Sequence, residues 1–486
     1  MNVPIRRVAT IALLMVLALM VSTTIIQVFR APDISADPRN KRTIYEQYGR
    51  ARGPIVVEGD SIAKSEPVDD PYQYQREYTD GELYAPVTGF YSLVNGSTGI
   101  EAAEDDYLSG TADDLWFTRI KDLLTGNTPQ GSSVELTLNA AAQQAAWDGL
   151  GDQVGAVVAI EPATGKILAM VSKPSYDPNV LADHDLGAAS DSYSALVDDD
   201  TDPLINRAIA GDTYPPGSTF KLVTSAAALE SGDYEPDTVI PAPDVYQYPN
   251  STAVLPNFGG EQCDPSGEQT LAEALEISCN TAFAELAVAI GEDALREQAE
   301  AFGYDTDLSI PMTVTPSRFP ATDDLDEAGL ARAGIGQGDV FATPLEIAMT
   351  SAAIANGGEQ MQPYLVDTVR SPDLDVVSQT APQTLRQSVS SETASELTEM
   401  MLGVVEDGTG TAAQISGVEV AGKSGTAQHG DGTENPHAWF TAFAPADNPQ
   451  VAVAVIVEDG GSQGSEATGG SVSAPIASAV IQAVLG

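Results

Sequence analysis

The stretch that tells most about the fold is YPPGSTFKLVTSAAALESG, residues 214–232. Its Pro-Pro-Gly break precedes an apolar run with helical spacing, so the pattern predicts a helix that begins at Ser218. Positions three apart share a helix face, which brings the amine of Lys221 within reach of the Ser218 hydroxyl. Burial and the positive end of the helix both favour a neutral lysine, which can accept the serine proton. We therefore predict Ser218 as a nucleophile with Lys221 as its base.

The Ser-x-x-Lys pattern alone is weak evidence, because a second copy occurs at Ser61–Lys64. This copy lies within IVVEGDSIAKSEP, whose β-branched residues and Glu-Gly-Asp sequence favour a strand and a turn. No helix is expected there to hold the spacing. We interpret the second copy as part of a surface hairpin.

A Ser-x-Asn motif, Ser278-Cys279-Asn280, falls at a break between two helical runs, LAEALEIS and TAFAELAVAIG. A turn at this break can aim a hydroxyl and an amide into a cleft, the first to relay protons and the second to bond a substrate carbonyl and the lysine. Serine and asparagine also cap helices throughout proteins. Taken alone, the motif would therefore be read as a cap.

A third motif, Lys423-Ser424-Gly425-Thr426, lies in a strand-like run. Glycine leaves room where a peptide must lie close to the strand, and the lysine and hydroxyls can hold a carboxylate. A glycine bulge in an ordinary strand is the alternative. Two of the seven lysines of the chain fall in the first and third motifs, in a secondary structure that suits their chemistry.

The flanking sequence predicts an α+β fold. The segment 155–172 reads as a β-hairpin, and 418–427, 437–445 and 450–459 read as strands before a helical tail at 473–486. Alanine-rich helical runs occupy 219–230, 270–290 and 344–355 in between. Strands at both ends of the domain with helices between them imply one antiparallel sheet with helical layers.

The N-terminal region predicts a membrane anchor. Residues 8–29 carry no charge, and this length spans a bilayer core of about 30 Å. Arg6 and Arg7 place the N-terminus inside and the rest of the chain outside, although Arg30, Arg39, Lys41 and Arg42 weaken this orientation. A cleaved signal peptide is the alternative, but the apolar run exceeds the usual apolar core of such peptides. We expect a tail (1–7), an anchor (8–29), a small, mostly β module (30–133) and a main domain (134–486).

The composition of the chain argues against several classes of binding partner. A net charge of −48 with only 22 Lys and Arg residues argues against nucleic acid, which requires clustered positive charge. The three histidines, His184, His429 and His437, lack ligand spacing, so we expect no metal and no cofactor. Outside the membrane, Cys263 and Cys279 are free to form a disulfide. Two independent buried thiols are the alternative.

The three motifs in this order are those of serine β-lactamases and penicillin-binding proteins. The chain resembles the class B penicillin-binding proteins, and within them the actinobacterial penicillin-binding protein A group. The resemblance also rests on the stretches AIEPATGKILAMVSKPSYDPN (159–179), NRAIAGDTYPPGSTFK (206–221), SCNTAF (278–283), GIGQGDVFATPLEIAMTSAAIANGG (334–358) and AGKSGTAQ (421–428). Residues 42–57 resemble the start of the family's pedestal or dimerisation module.

This resemblance implies a penicilloyl-serine-transferase fold and a peptidoglycan D,D-transpeptidase. Such an enzyme attacks the penultimate D-Ala carbonyl, releases the terminal D-Ala and passes the acyl group to a neighbouring stem amine. Ser218 would be the nucleophile and Lys221 its base. Ser278 would relay the proton to the leaving amine, and Asn280 would orient Lys221 and the substrate amide.

The resemblance also assigns the substrate contacts. Lys423, Ser424 and Thr426, with Gly425 leaving room between them, would hold the terminal carboxylate of the substrate. The backbone N–H groups of Ser218 and Thr426 would form the oxyanion hole. Serine at 424 replaces the family's more frequent threonine, and cysteine fills the middle of Ser-x-Asn.

The implied partners are peptidoglycan stem peptides on lipid-linked precursors, β-lactam antibiotics, the cell membrane, and division or elongation proteins that bind the pedestal. Two alternatives stay open at this point. D,D-carboxypeptidases and β-lactam hydrolases share all three motifs and differ in the acceptor of the acyl group. A non-enzymatic β-lactam sensor or wall-binding scaffold would keep the fold. The anchor and the pedestal favour acyl transfer to an amine.

Overall fold

The computed structural model describes residues 2–30, 48–116, 121, 130–211, 213–249, 252–321, 325–430 and 434–486. Arg39, Lys41 and Arg42, and with them the first part of the 42–57 stretch, lie outside the described residues. The helices are α1 (Asn2–Thr24), α2 (Gly81–Thr88), α3 (Gly99–Ala103), α4 (Asp105–Leu108), α5 (Ala140–Leu150), α6 (Leu186–Val197), α7 (Lys221–Glu230), α8 (Leu271–Glu276), α9 (Asn280–Ile290), α10 (Glu292–Phe302), α11 (Glu327–Ala333), α12 (Pro344–Ala355), α13 (Ser391–Glu406) and α14 (Ala474–Leu485).

The strands are β1 (Ile55–Val57), β2 (Asp60–Pro67), β3 (Tyr74–Tyr78), β4 (Tyr91–Ser92), β5 (Gly96–Ser97), β6 (Ser133–Leu136), β7 (Gly155–Ile160), β8 (Ile167–Lys173), β9 (Val239–Pro241), β10 (Val245–Gln247), β11 (Val254–Pro256), β12 (Glu268–Thr270), β13 (Leu308–Ser309), β14 (Thr313–Val314), β15 (Glu359–Met361), β16 (Val366–Arg370), β17 (Val376–Gln379), β18 (Thr384–Gln387), β19 (Ala421–Ala427), β20 (His437–Ala444) and β21 (Val451–Val457). Five of them, in the order β19-β20-β21-β7-β8, form the main sheet. Every pair in it is antiparallel.

The main sheet is covered on both faces, so its strands are buried almost throughout. All residues of β20 and β21 are buried, which is why these strands read as continuous apolar runs. On one face, α5 and α14 pack with Val157, Phe440 and Val455. On the other face, α7, α12 and α13 belong to the larger core, which also holds Trp439. The predicted α+β fold with a central antiparallel sheet and helical layers is confirmed.

A second sheet, with the strand order β17-β16-β6-β1-β2-β3, joins the N-terminal strands to strands from later in the chain. The expected boundary at residue 133 therefore runs through this sheet. The module also contains α2, α3 and α4, which the sequence analysis did not anticipate. Within the stretch GFYSLV (89–94), only Tyr91–Ser92 forms a strand, which pairs with the two-residue β5 in a very short hairpin.

Charged side chains are buried where the N-terminal helices meet this second sheet. Glu101 is fully buried and accepts from Arg52 Nε at 2.5 Å and from Arg76 Nε at 2.6 Å. Arg52 also pairs with Asp105 at 2.5 Å. The two guanidinium groups hold the pKa of Glu101 below its usual value even though burial opposes this. The ion pairs fix α3 against the start of β1.

The N-terminal helix is long and apolar enough to cross a membrane. Val3–Gln27 spans 25 residues with a mean hydropathy of 2.4, and none of it is buried. At about 1.5 Å per residue this length matches a bilayer core of about 30 Å. The predicted spanning segment at 8–29 lies almost wholly within it.

Candidate active site

Ser218 lies in a 3-10 turn, Gly217–Phe220, that leads directly into α7, and it is half-buried. The turn begins at Gly217, whose φ of 53° favours glycine. A β-carbon there would come within 3.0 Å of the Thr426 carbonyl oxygen on β19. The Gly217 N–H donates to the Gly336 carbonyl at 2.9 Å. The α-helix therefore begins at Lys221 rather than at Ser218, and Ser218 lies in the 3-10 turn before it, held between β19 and the turn that contains Gly336.

Lys221, at the start of α7, is completely buried. Its Nζ donates to Asn280 Oδ1 at 2.8 Å and to the Ser278 carbonyl at 2.7 Å, and it lies 3.2 Å from Ser278 Oγ. Burial, and secondly the positive charge of Lys423, hold the pKa of Lys221 well below its usual value. All three of its hydrogen-bond partners are neutral, so no negative charge in this set favours the ammonium form.

Lys423, on β19, is the second buried lysine of the site. Its Nζ donates to Ser278 Oγ at 2.9 Å and to the Ser424 carbonyl at 2.9 Å. Burial lowers the pKa of Lys423 to about 7. The Ser278 hydroxyl therefore lies between two amines whose protons are easily lost, the arrangement expected of a proton relay.

The turn that carries Ser278 and Asn280 joins α8 to α9. Ser278 has a φ of 61°, in the left-handed region that side chains other than glycine rarely adopt. One oxygen of Asn257, Oδ1, accepts the backbone N–H groups of Asn280 and Thr281, each at 3.0 Å. Asn257 thus caps the N-terminus of α9 from a distant loop, which holds the turn in place.

A disulfide joins Cys263 to Cys279, with an S–S distance of 2.08 Å across a separation of 16 residues. Cys279 is the middle residue of the Ser-x-Asn motif and is 2 % exposed. The covalent link ties the Ser-x-Asn turn to the loop that follows Asn257. The loop and the turn are therefore expected to move together.

The strand β19 forms the opposite wall. Ser424 Oγ lies 2.6 Å from Thr409 Oγ1, which orients its hydroxyl. A β-carbon at Gly425 would come within 3.0 Å of Thr219 Cγ2 and within 3.0 Å of Trp439 Cβ. Glycine is therefore needed here because β19 packs closely against the turn that carries the nucleophile.

The motifs meet in a cleft of about 820 Å³. Its lining includes Ser218, Ser278, Asn280, Ser424 and Thr426. Lys221 and Lys423 lie beneath the surface of the cleft, with side chains that are completely buried. The structure thus places the three predicted motifs around one cleft, although the hydrogen bonds of Lys221 go to Ser278 and Asn280 rather than to Ser218, and Lys423 reaches the cleft through Ser278.

The second Ser-x-x-Lys copy lies elsewhere. Ser61 and Lys64 are in β2, which pairs with β1 as a hairpin. Lys64 is 43 % exposed and lies 2.7 Å from Glu66 Oε1. Without burial this lysine has no means of becoming a base at neutral pH.

Sequence reasoning missed Asn257, Thr409 and a group of side chains formed by His429, His437 and Asp459. Asn257 and Thr409 act on the motifs from loops with no local pattern. One ligand atom from each member of the His429 group lies within 4.8 Å of the others. The signal for this group was not spacing in sequence but the pairing of β20 with β19 and with β21, which brings the end of β19, the start of β20 and the end of β21 together.

Hydrogen bonds occupy this histidine group. The His429 and His437 rings are stacked with centroids 3.8 Å apart and an angle of 2°, so their lone pairs lie in parallel planes and do not converge. The Asp459 N–H donates to His437 Nδ1 at 3.2 Å, and Asp459 Oδ1 lies 2.8 Å from His429 Nε2. Burial, then the neighbouring His429, lowers the pKa of His437 to about 3. We assign no metal to these residues, and the expected lack of a metal stays a prediction.

A buried Ser-x-x-Lys helix, a Ser-x-Asn turn and a Lys-Ser-Gly strand around one cleft define a serine acyl-transfer enzyme of the penicillin-interacting class. The family described as penicillin binding protein transpeptidase domain matches residues 155–482, and the penicillin binding protein A dimerisation domain matches residues 52–134. The chain belongs to the penicillin-binding protein family, in the penicillin-binding protein A group, as the resemblance predicted.

Individual relatives agree along the whole chain. The peptidoglycan D,D-transpeptidase PbpA of Mycolicibacterium smegmatis is 48% identical over 100% of this chain and 99% of its own length. The protein of the same name from Mycobacterium tuberculosis is 45% identical over the same shares. A structure of penicillin-binding protein A from M. tuberculosis, a ceftriaxone acyl-enzyme complex, superposes with a TM-score of 0.88 at 45% identity and covers 91% of this chain and 100% of its own.

Proposed function

We propose that this protein is a peptidoglycan D,D-transpeptidase that forms an acyl-enzyme at Ser218. The observation that carries this proposal is the Ser278 hydroxyl, which lies 3.2 Å from Lys221 Nζ and 2.9 Å from Lys423 Nζ in the cleft that Ser218 also lines. Such an arrangement can move a proton from Ser218 to a leaving amine. It needs no metal or cofactor.

In the acylation step, neutral Lys221 takes the proton of Ser218 Oγ as this oxygen attacks the penultimate D-Ala carbonyl. The backbone N–H groups of Ser218 and Thr426 stabilise the oxyanion, each contributing about 10²–10³ in rate. The C–N bond then breaks, and the proton passes from Lys221 through Ser278 Oγ to the amine of the departing D-Ala. An ester at Ser218 remains.

Binding of the donor peptide requires a partner for its terminal carboxylate. The hydroxyls of Ser424 and Thr426 line the cleft and donate to this group. Lys423 adds positive charge from beneath, through its hydrogen bond to Ser278. The side chain of Asn280 donates to the substrate amide while its oxygen keeps the bond to Lys221.

In the transfer step, the amine of a neighbouring stem peptide attacks the ester. The amine loses a proton through Ser278 to Lys221, and Ser218 regains its proton as the new amide forms. β-Lactams acylate Ser218 by the same first step, because their ring carbonyl takes the place of the D-Ala carbonyl. The β-lactam leaving nitrogen stays tethered, which hinders the second step.

The setting of the catalytic domain is part of the proposal. Residues 1–7 lie inside the cell, 8–29 cross the membrane, 30–133 form a pedestal and 134–486 form the transpeptidase domain outside. The uncharged span and the paired Arg6 and Arg7 support this orientation. Lipid-linked precursors then reach the cleft from the membrane, and division or elongation proteins bind the pedestal.

The proposal is tested with the full chain in detergent, a fluorescent penicillin and a pair of peptides. Wild-type protein should be labelled and Ser218→Ala should not. With a D-Ala–D-Ala donor and an amine acceptor, the cross-linked dimer should exceed the free acid. An excess of free acid would indicate a D,D-carboxypeptidase or β-lactam hydrolase. Labelling without turnover of any peptide would indicate a sensor or a wall-binding scaffold.

A further inference from the structure

A second cleft, of about 1030 Å³, adjoins the catalytic cleft. The two clefts share four residues along their common border, Leu255, Ile335, Gln337 and Gln428. Two guanidinium groups, from Arg318 and Arg332, line the second cleft. We call it the arginine cleft. A peptide that is bound at Ser218 and extends past this border would enter the arginine cleft directly.

Neither guanidinium group has an anionic partner among the residues that the structure describes. Arg318 lies over the Phe341 ring, with its Cζ 4.4 Å from the ring centroid, and Arg332 is exposed in the last turn of α11. Within the described part of the chain, neither forms an ion pair, whereas Arg52, Arg76, Arg207, Arg296 and Arg370 do.

Neither of the two carboxylates that line the arginine cleft, those of Glu458 and Asp459, forms an ion pair with Arg318 or Arg332. Glu458 Oε1 accepts from Arg207 Nε at 2.9 Å and from Tyr214 Oη at 2.6 Å. Asp459 Oδ1 lies 2.8 Å from His429 Nε2. Positive charge from Arg318 and Arg332 is thus left free for a ligand. Guanidinium groups bind carboxylates with paired hydrogen bonds, which makes an anionic group the ligand of suitable chemistry.

The strand β19 gives the direction in which the donor peptide runs. Side chains two apart lie on the same face of a strand, about 6.6 Å from each other. Ser424, Thr426 and Gln428 accordingly line the catalytic cleft in turn. With the terminal carboxylate at Ser424 and the scissile carbonyl at Thr426, the preceding residue of the donor lies near Gln428. Gln428 is also part of the arginine cleft.

We propose that the arginine cleft binds a carboxylate on the side chain of the donor residue that precedes the D-Ala–D-Ala pair, through Arg318 and Arg332. The proposal rests on the proposed function, because it takes its direction from the position of the scissile carbonyl. The catalytic cleft would then recognise the end of the donor, and the arginine cleft would select the residue before it.

Competition against fluorescent penicillin tests this without requiring turnover. The probes are N-acetyl-X-D-Ala-D-Ala peptides in which X is either 2-aminoadipate, which carries a carboxylate, or norleucine, which does not. The wild-type protein should be protected by the 2-aminoadipate peptide at a concentration about tenfold lower than by the norleucine peptide. In the double variant Arg318→Gln/Arg332→Gln this preference should disappear.

The matched control is Arg370→Gln, a partly exposed arginine of the second sheet that lies 3.5 Å from Glu135 and outside both clefts. It should keep the wild-type preference and should react with penicillin G at the wild-type rate. A wild-type protein without preference, or a double variant that retains it, overturns the proposal. Equal loss of affinity for both peptides would mean that the arginines are structural, which also overturns it.

Two further results distinguish this proposal from recognition of the acceptor and from the transpeptidase proposal itself. A preference that appears only for the acceptor amine, measured as its KM with a fixed donor, overturns the assignment to the donor side. Absence of cross-linked product from the wild-type protein argues against the transpeptidase proposal alone, since the competition reports binding at Ser218 whether the acyl group goes to an amine or to water.

Discussion

Lys221 Nζ donates a hydrogen bond to Asn280 Oδ1 at 2.8 Å. An amide oxygen accepts this bond without bringing a negative charge, so the lysine is oriented while its pKa stays well below the usual value. A carboxylate at the same place would favour the ammonium form instead. The choice of asparagine over aspartate is therefore a choice of protonation state for the base.

We expect Asn280→Asp to lower the second-order rate of acylation by penicillin at pH 7 by about 100-fold or more, since general base catalysis contributes about 10²–10⁴. The new aspartate should raise the pKa of Lys221 in this variant. Part of the rate should therefore return once the pH exceeds that pKa. Rates of fluorescent penicillin labelling between pH 6 and 10 measure this. Asn448→Asp, at an exposed position, serves as the control. An acylation rate that is lowered by the same factor at every pH would show that a changed pKa of Lys221 is not the cause.

A second prediction concerns pH and the donor carboxylate. Lys423 has a pKa of about 7, so its positive charge is lost as pH rises through that value. For a donor with a free terminal carboxylate, kcat/KM should therefore fall above about pH 7. A donor whose terminus is an amide should lack this alkaline fall, while both donors should lose rate at low pH as Lys221 becomes protonated. Identical alkaline limbs for the two donors would mean that Lys423 does not act on the carboxylate.

The sequence was enough for the main sheet and the three motifs, because their patterns are local. The apolar runs of β20 and β21 and the Pro-Pro-Gly break before Ser218 need no knowledge of the rest of the chain. Contacts between distant segments were not predictable. Asn257 caps α9 from a separate loop, and β16 completes a sheet that begins near residue 55.

In the active site too, local patterns were predictable and contacts between distant segments were not. The sequence predicted that Lys423 helps to hold a carboxylate, and only packing around β19 reveals that its side chain is completely buried and reaches the cleft through Ser278. Similarly, Arg318 and Arg332 carry no motif. That neither forms an ion pair with a described residue is visible only once the neighbouring carboxylates have been placed.

The disulfide should matter for stability and for the Ser-x-Asn turn. Closing a loop of 16 residues constrains the unfolded chain by about 3 kcal/mol. Cys263→Ser/Cys279→Ser should lose about this much free energy of unfolding in urea and should be acylated more slowly, because Ser278 and Asn280 are then held by fewer bonds. Treating the wild-type protein with a reductant should reproduce both effects and should leave the double variant unchanged. A variant that loses stability but keeps its acylation rate would limit the disulfide to a structural role.

The last prediction separates the pedestal from the catalytic site. Glu101→Gln removes the carboxylate that Arg52 and Arg76 share, and the two guanidinium groups have side chains only 5% and 2% exposed. Breaking a buried pair in this way costs about 3–5 kcal/mol, because it leaves charge buried without its counterion. The free energy of unfolding should fall by about this amount. Penicillin acylation of the folded fraction should not change, since Glu101 lies outside the catalytic cleft.

Glu77→Gln, which removes an exposed carboxylate 3.8 Å from Lys64, should change stability by about 0.5 kcal/mol at most. If Glu101→Gln proved as mild as this control, the buried ion pairs would not be what holds α3 against β1.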